Sequence, residues 1–310
     1  MSRASDPLLD AFEAERPRLR AIAYRMLGTP DDADDVVQDT WLRFAAADVD
    51  SIDNTAAWLT AVASRLAIDR LRSAQHRREA YVGPWLADPI AEEPAVDAGP
   101  AEAVVLAESL SLGFLAVLER ASPLERAVFI LHDIFGYPLA EVGDIIERSP
   151  AATRQLAKRA RDHVEAGRPR FAPEPDDVET LTKLVLGAAM NGDVETLESY
   201  LAEDVVHLSD GGPNHRAARA PVVGVHRVSR LFVGLAKRLE PEMEFHVVRA
   251  NGQLAVYTTL DAEPYMLHVS NWVDAKLTGS FAVRNPDKLA AFHRSWSSSR
   301  MMGTGQTSAC

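Results

Sequence analysis

The segment RSPAATRQLAKRARDHV, residues 148–164, decides the fold of the middle of this chain. Ser149 followed by Pro150 is a typical helix start, with serine as the N-cap and proline as the first helical residue. Small and apolar residues then recur at helical spacing and predict one buried face. They are Thr153, Leu156, Ala157, Ala160 and Val164. The opposite face is basic, so the segment predicts an amphipathic helix with a cationic surface.

The positive charge of this helix is unusual in a chain of 310 residues whose formal net charge is −12. The cations are Arg148, Arg154, Lys158, Arg159 and Arg161. Because a cation such as Arg154 near the N-terminus of a helix opposes the macrodipole, helix stability gives no reason for it. An anionic partner such as nucleic acid is the better explanation, and a solvated basic face is the alternative.

A shorter apolar helix is predicted just before the basic one. In PLAEVGDIIE, residues 138–147, apolar side chains recur at helical spacing. They are Leu139, Val142, Ile145 and Ile146. A tight turn, Glu147–Ser149, joins the two helices. This is helix-turn-helix spacing, in which the second helix enters the major groove of DNA.

The composition of the chain limits other classes of function. No apolar run approaches the ~20 residues that span a membrane, and the N-terminal residues lack the apolar core of a secretory signal. Cys310 is the single cysteine, which excludes an intrachain disulfide and a cysteine-ligated zinc site. We therefore predict a soluble cytoplasmic protein with no membrane segment, no metal and no cofactor.

Two segments rich in proline read as linkers, at residues 83–100 and 167–176. They divide the chain into an all-helical domain at 5–82, a second helical domain at 101–166 that holds the helix-turn-helix, and a third domain at 177–290. Residues 291–310 are predicted to be a disordered tail.

The third domain changes character along its length. Helices are predicted at 177–192, 193–204 and 229–238. Strand-like runs follow at 243–260 and 265–273. Asn251-Gly252 between two such runs is a strong hairpin signal. The pattern predicts an α+β domain with a curved antiparallel sheet.

Three stretches of the helical domains carry a family resemblance. AYRMLGTPDDADDVVQDTWLRF (residues 23–44) and NTAAWLTAVASRLAIDRLRSAQHRR (54–78) resemble region 2 of an extracytoplasmic-function sigma factor of the sigma-70 family. Residues 118–164, from LERASPLERAVF to the basic helix, resemble region 4. The resemblance implies a protein that binds core RNA polymerase and directs recognition of the minus-10 and minus-35 promoter elements, and that is not an enzyme.

The resemblance also implies roles for individual residues. The acidic helix from Asp31 would dock on the clamp helices of the polymerase β′ subunit, with the β subunit as a further contact. The candidates are Asp34, Asp35, Gln38, Asp39 and Leu42. The minus-10 candidates are Asn54, Arg65, Arg70, Arg72, Arg77 and Arg78. The minus-35 candidates are Arg154, Gln155, Lys158 and Arg159. A plain N-cap is the alternative for Asn54, and a solvated acidic face is the alternative for the docking helix.

The third domain resembles a SnoaL-like domain of the cone-shaped nuclear-transport-factor-2-like fold. With it the chain resembles the sigma-J-like subgroup, in which this extension acts on the sigma regions in cis. YVGPWLADP, DGG and NPDKL carry this likeness, although Pro213-Asn214 stands where the subgroup usually has Gly-Lys. The interdomain candidates are Tyr81, Trp85, Leu86, Asp210, Gly211, Gly212, Asn285, Pro286, Asp287, Lys288 and Leu289. We expect Asp287 and Lys288 to be exposed and to latch onto region 2.

Two other functions remain open at this point. One is a ligand-sensing regulator that uses only the helix-turn-helix, with a small molecule bound in the third domain. The other is a SnoaL-like enzyme fused to a DNA-binding module, for which an Asp/His pair would transfer a proton. Asp210, His226, His246 and His268 are candidates, but their spacing pairs no particular acid with a particular histidine.

Overall fold

The computed structural model describes residues 7–79, 81–91, 100–167, 177–213 and 215–303. The chain forms two compact units. The first contains Met1–Ala80, Pro94–Leu110 and Val117–Gly167, and the second contains Tyr81–Glu93, Ser111–Ala116 and Arg168–Cys310. The two predicted helical domains therefore share one unit, while part of the first predicted linker packs within the other.

The first unit is helical throughout its described residues. Its elements are α1 (Pro7–Leu27), α2 (Pro30–Ala45), a 3-10 turn (Val49–Ser51), α3 (Thr55–Glu79), α4 (Pro100–Leu110), α6 (Pro123–Val128), which continues as a π-helical turn (Phe129–Ile134), α7 (Leu139–Ile146) and α8 (Pro150–Gly167). Helix α5 (Leu112–Leu118) lies mainly in the second unit.

Helix α2 begins at a threonine–proline pair, as capping preferences favour. Thr29 is the N-cap in an extended conformation and Pro30 is the first helical residue. The Thr29 hydroxyl bonds to the Asp32 carboxylate at 2.6 Å rather than to a backbone amide. One stripe of the helix is buried, with Trp41 half-buried beside it. It consists of Ala33, Val36, Val37, Thr40 and Phe44.

A buried arginine joins the N-terminal helices to α6. Arg126 is 1% exposed, and its guanidinium donates to the carbonyl oxygen of Arg25 and to the carboxylate of Glu119. Arg78 on α3 donates to the same carboxylate at 2.8 and 2.7 Å. Because a buried charge is tolerated only when it is paired, this cluster fixes α1, α3 and α6 to one another.

The second unit combines helices with one six-stranded sheet. Its helices are α9 (Val178–Asn191), α10 (Val194–Tyr200), α11 (Val225–Ala236) and α12 (Pro286–Gly303). Its strands are β1 (Leu201–Asp210), β2 (Val222–Val223), β3 (Met243–Ala250), β4 (Gln253–Leu260), β5 (Glu263–Val273) and β6 (Lys276–Val283), in the order β2-β1-β6-β5-β4-β3.

The hairpin at Asn251-Gly252 is confirmed, and both residues have positive φ angles. The expectation of a purely antiparallel sheet is wrong, because β1 and β6 are parallel. The meander β3–β6 brings β6 back beside β1, a pairing between distant segments that local patterns do not reveal. Strand β6 was not predicted.

Three helices differ from the predicted bounds. Helix α10 ends at Tyr200, and residues 201–204 begin β1 instead of continuing the helix. Helix α11 begins at Val225, before the predicted start at 229. Helix α12 runs to Gly303, so the predicted disordered tail is wrong for residues 291–303. Leu289 and Phe292 are buried on its inner face, which explains why the helix continues.

Candidate functional site

The helix-turn-helix forms as the sequence predicts. Helix α7 ends at Ile146 and is capped by Glu147, which has a left-handed conformation with φ of 57°. The Arg148 amide donates to the Gly143 carbonyl at 2.9 Å. Ser149 caps α8 through the amide of Ala152 at 3.4 Å. A Cβ at Gly143 would lie 3.0 Å from the Thr153 hydroxyl. The two helices therefore cross closely at Gly143, which leaves little room for a side chain there.

The basic face of α8 is exposed. Arg154, Gln155 and Lys158 are exposed, and the structure shows no polar partner for Arg154 or Lys158 among the described residues. The predicted buried stripe from Thr153 to Val164 is confirmed. These cations are therefore available to an external anion.

Arg159 differs from its neighbours because it is bound to Glu125 at 2.8 Å. The Glu125 carboxylate is buried and also completes a capping box with Ser122 at the start of α6. Burial opposes ionisation of Glu125, but the hydrogen bonds from Ser122 and Arg159 outweigh it and lower its pKa. Arg159 is thus held in a fixed direction on the surface of α8.

The minus-10 candidates of α3 are largely engaged inside the first unit. Arg70 donates to Asp35 at 2.9 Å and to Asp39 at 2.8 Å. Burial works against the charged form of Arg70, yet these hydrogen bonds and charges raise its pKa. Arg65 donates to the carbonyl oxygens of Asp144 and Ile145 at the end of α7, at 3.1 and 3.0 Å.

The remaining minus-10 candidates are placed differently. Arg78 is bound to Glu119 and to the Leu27 carbonyl. Arg72 is exposed and pairs with Asp69 one turn away on α3. Asn54 is exposed, and its Oδ1 accepts from the Ala57 amide at 3.1 Å, as an N-cap does. The side chain of Arg77 lies outside the described residues.

The candidate docking helix α2 carries paired acids beside an exposed apolar residue. Asp34 is bound to Arg20 at 2.6 Å, and Asp35 and Asp39 share Arg70. Gln38 is exposed, and Leu42 is 58% exposed. An exposed leucine next to acids is the surface composition that a charged protein partner covers.

In the second unit, three predicted segments meet at one buried carboxylate. Asp210 is 0% exposed. It accepts the Tyr81 hydroxyl at 2.5 Å, the Leu86 amide at 2.9 Å and the Gly212 amide at 3.0 Å. The Lys288 ammonium lies 3.0 Å from Asp210 Oδ2. We refer to Tyr81, Leu86, Asp210, Asn285 and Lys288 as the Asp210 cluster.

Lys288 joins this cluster to the linker, so the expectation that it is exposed is wrong. It is 5% exposed and lies 3.9 Å from the centroid of the Trp85 ring. It also donates to the Leu86 carbonyl and lies 3.4 Å from Asp88. A buried lysine needs such partners, and here the linker supplies them. Lys288 therefore holds the linker.

Asn285 and the glycines complete the site. The Asn285 amide donates to the Tyr81 hydroxyl at 2.9 Å, while its Oδ1 accepts the Asp287 amide at the start of α12. Gly212 has a φ of 61°, and a Cβ there would lie 2.8 Å from Asn285. A Cβ at Gly211 would lie 2.4 Å from the His215 carbonyl oxygen. Burial, and then the bond to Asp210, raise the pKa of Tyr81.

The other residues of NPDKL have structural positions on α12. Pro286 is its first residue and is exposed, as is Asp287. Leu289 is 0% exposed. The exposed position of Asp287 agrees with expectation.

One linker contact was missed from the sequence. The Ile90 amide donates to Asn251 Oδ1 at 3.1 Å, and the Asn251 amide donates to the Ile90 carbonyl at 2.9 Å. Asn251 was interpreted only as a turn residue, although an asparagine at that position presents its side-chain oxygen beside the turn. The linker is thus held at both ends of its described segment.

The four candidates for proton transfer do not converge. Asp210 belongs to the cluster above, His226 pairs with Glu198, His246 bonds to Thr259, and His268 bonds to Ser280. No acid of this set bonds to a histidine of the set in the described part of the chain. A buried histidine outside this set, His207, shares Ser280 with His268.

The described residues offer neither a metal site nor a membrane-spanning helix. No group of three or more histidine, cysteine, aspartate or glutamate side chains there is placed to hold a metal ion. None of the helices in those ranges combines the length and the apolar character that a membrane crossing needs.

Comparison with known proteins identifies the family. The family models Sigma-70 region 2 and Sigma-70, region 4 match residues 11–77 and 112–164. The chain is 39% identical to the extracytoplasmic-function RNA polymerase sigma factor SigJ of Mycobacterium tuberculosis over 289 residues, 90% of this chain and 92% of that protein. The chain belongs to the extracytoplasmic-function sigma factors. This sigma factor therefore binds core RNA polymerase and directs promoter recognition.

Two further likenesses extend the family assignment to the C-terminal region. This sigma factor is 38% identical to the probable sigma factor SigI of M. tuberculosis over 225 residues, 72% of this chain and 75% of SigI. The crystal structure of M. tuberculosis SigJ matches it with a TM-score of 0.71 and 33% identity, over 91% of this chain and 98% of the other. The expected order of helical sigma regions followed by an α+β domain is confirmed.

Proposed function

We propose that this sigma factor docks on core polymerase through α2, reads the minus-35 element with α8 and the minus-10 element with α3, and is regulated in cis by its second unit. The observation that supports this most directly is the contrast between exposed cations on α8 and protein-bound cations on α3. Arg154 and Lys158 on α8 face outward, whereas Arg65, Arg70 and Arg78 on α3 are bound to protein groups. We infer from this contrast a form in which part of the minus-10 surface is withheld.

The contact between α3 and α7 gives a geometric reason for such withholding. By their positions the two promoter elements lie about 25 base pairs apart, which is about 85 Å of duplex at about 3.4 Å per base pair. Arg65 bonds directly to the end of α7, and α8 follows after a tight turn. While this contact persists, α3 and α8 cannot reach the minus-10 and minus-35 elements at the same time. Opening of the first unit is therefore part of the proposed mechanism.

The linker controls how far the two regions can separate. Helix α3 ends at Glu79 and α4 begins at Pro100, and an extended chain of that length reaches at most about 70 Å. When the second unit holds residues 81–91 through the Asp210 cluster, that part of the chain cannot extend. Release of the linker would supply most of the separation that promoter binding needs. The second unit thus acts on the sigma regions without a separate regulatory protein.

The partners, the cellular location and the absence of catalysis follow from the same proposed mechanism. We infer that the protein has promoter DNA and the polymerase β and β′ subunits as partners, works in the cytoplasm and catalyses no reaction of its own. The separated positions of Asp210, His226, His246 and His268 support the last inference. A small molecule bound by the second unit is the proposed effector.

Run-off transcription with core polymerase tests the proposal. Full-length protein is compared with Lys288→Met and with a chain that ends at Gly167. We expect promoter-dependent transcripts from full-length protein and changed activity in both variants. Absence of promoter-dependent transcripts from every form, with core polymerase bound, would reject the promoter assignment. Equal activity of all three forms would reject regulation in cis.

Replacement of Arg154 with alanine tests the minus-35 assignment. A bidentate contact to a base edge contributes ~1–3 kcal/mol, so Arg154→Ala should weaken promoter binding by that amount and relax preference at one position. Lys158→Ala should weaken all sequences evenly if Lys158 contacts phosphate. Fluorescence anisotropy of holoenzyme on promoter variants measures both. Arg161→Ala is the matched control, because Arg161 is bound to Asp133 at 2.6 Å. Unchanged binding in the Arg154 and Lys158 variants contradicts the assignment.

Charge reversal at Asp35 and Asp39 tests the docking surface. We expect Asp35→Lys combined with Asp39→Lys to lower affinity for core polymerase, because the complementary charge is reversed. The same change also breaks the ion pairs with Arg70. Arg70→Gln is therefore the control, since it removes those pairs and keeps both acids. Equal loss of affinity in the control, measured by pull-down at moderate salt, would assign the effect to the ion pairs instead of docking.

A further inference from the structure

One face of the sheet carries buried polar side chains that promoter recognition does not use. His207 on β1 lies opposite Ser280 on β6, and Ser280 lies opposite Ser270 on β5. His268 is two residues from Ser270 and so shares that face. Phe232 of α11 packs edge-on against the rings of His207 and His268, with centroids 5.9 and 6.3 Å apart. Helix α11 therefore covers this part of the face.

The two histidines share a single hydroxyl. His207 Nδ1 lies 2.8 Å and His268 Nε2 lies 2.7 Å from Ser280 Oγ. A hydroxyl has one proton, so it donates to one ring and accepts from the other. Burial lowers the pKa of His207 to about 3 and that of His268 to about 4, and both rings are neutral near pH 7. Within the described ranges neither ring has a second hydrogen-bond partner, so each keeps one nitrogen for another polar group.

A third polar group on this face has no partner. Thr258 is 0% exposed, and its hydroxyl oxygen makes no hydrogen bond among the described residues. It lies between Phe245 on β3 and Met266 on β5, and its neighbour Val256 lies opposite His268. Buried hydroxyls are normally paired, and an unpaired one needs an explanation. A bound molecule with a polar atom supplies one.

The part of this face on β3 is apolar and exposed. Phe245 is 41% and Val247 is 51% exposed, and the register places both on the same face as Thr258 and Val256. Val256 and Met266 are half-buried beside them. Apolar side chains that surround a few polar atoms are the usual lining of a small-molecule site.

We propose that this face, from Phe245 and Val247 inward to Thr258 and the His207–Ser280–His268 group, binds a neutral, largely apolar small molecule that carries one hydroxyl or carbonyl oxygen. The inference rests on the proposed function, because it gives the effector a site and a chemical class. The buried end holds neutral side chains, so a carboxylate there would lose hydration without gaining a counter-charge. Arg249, the charged residue on the same face of β3, is exposed and donates to the Gly252 carbonyl.

Three probes with one ring system test this inference on the full-length protein. They are 2-naphthol, naphthalene and 2-naphthoate, followed by ligand-observed NMR titration. We expect 2-naphthol to bind about 3- to 10-fold more tightly than naphthalene, because one hydrogen bond is added. We expect 2-naphthoate to bind at least about tenfold more weakly than 2-naphthol. Tight binding of the carboxylate, or equal binding of 2-naphthol and naphthalene, overturns the proposal.

Variants locate the site. Thr258→Val removes the hydroxyl and keeps the shape, so it should cost 2-naphthol about 3- to 10-fold and leave naphthalene unchanged. Val247→Asp should weaken binding of both 2-naphthol and naphthalene. Val247 is exposed, so this change should leave the domain folded. Val223→Asp is the control, because Val223 is 46% exposed and pairs with Val206 on the opposite face. The proposal is overturned if neither Thr258→Val nor Val247→Asp changes the affinity for the probes. So does a change of oligomeric state in Val247→Asp, which would make this surface an interface between copies.

Transcription measurements keep this proposal separate from the proposed function. Wild-type protein and Val223→Asp are assayed with core polymerase in the absence of probe. Promoter-dependent transcripts without probe binding reject only the ligand site. Probe binding without promoter-dependent transcripts rejects only the sigma mechanism.

Discussion

Replacement of Lys288 with methionine should lower the free energy of unfolding of the second unit by about 3–5 kcal/mol. Lys288 is 5% exposed and Asp210 is 0% exposed, so removal of the cation leaves a buried carboxylate without its counter-charge. The same change removes the contacts of the ammonium group with Trp85 and Leu86. Chemical denaturation followed by tryptophan fluorescence measures the stability. Limited proteolysis within residues 81–91 measures release of the linker.

The double variant Lys288→Met with Asp210→Asn separates charge from packing. If the loss comes from the uncompensated carboxylate, neutralising Asp210 should restore part of the stability, because the coupled changes are not additive. Asp287→Asn is the matched control, since Asp287 is the exposed neighbour on α12. A Lys288→Met protein as stable and as protease-resistant as wild type would contradict the role of the Asp210 cluster.

Truncation after Leu289 should destabilise the second unit by at least about 3–5 kcal/mol, the usual effect of losing one buried phenylalanine. Phe292 is 1% exposed and packs edge-on against Tyr257 with ring centroids 5.3 Å apart. Trp296 also packs edge-on against the Tyr257 ring at 4.9 Å, and His293 bonds to the Tyr257 hydroxyl at 2.7 Å. Thermal unfolding of the truncated and full-length proteins measures the difference.

Truncation after Gly303 is the control for this result. It leaves every described residue of α12 in place, so we expect stability within about 0.5 kcal/mol of the full-length protein. The point variant Phe292→Ala should reproduce much of the effect of the longer truncation. If the chain that ends at Leu289 unfolds at the same temperature as full-length protein, the packing of α12 does not stabilise the sheet.

Features that depend on local spacing could be predicted from the sequence. The start of α2 at Thr29-Pro30 and the buried stripe of α8 follow from capping preferences and a 3.6-residue period, which act within one helix. The Asn251-Gly252 hairpin is equally local. The residues that meet at Asp210 were also predicted as a group, but from the family likeness and not from any pattern in the chain.

Features that depend on distant contacts could not be predicted. Lysine is seldom buried, so nothing near Lys288 indicates that Asp210 and the linker surround it. The partners of Arg65 and Arg70 come from other helices. Strand β6 was missed because the turn before it, Asp274-Ala275, has positive φ angles without glycine. Helix α12 had a usable signal, since Leu289, Phe292 and Trp296 are spaced at i, i+3 and i+7.

The attachment of the linker to the second unit has a consequence for the amount of protein in a cell. A separate inhibitor must be produced in proportion to its target, and dilution of both weakens their complex. Here the second unit and the linker that it binds are parts of one polypeptide, so their effective concentration is set by the tether and stays constant at any expression level. Overproduction alone therefore cannot free the linker. In the proposed mechanism, activation therefore comes from a competing binding energy, such as that of polymerase.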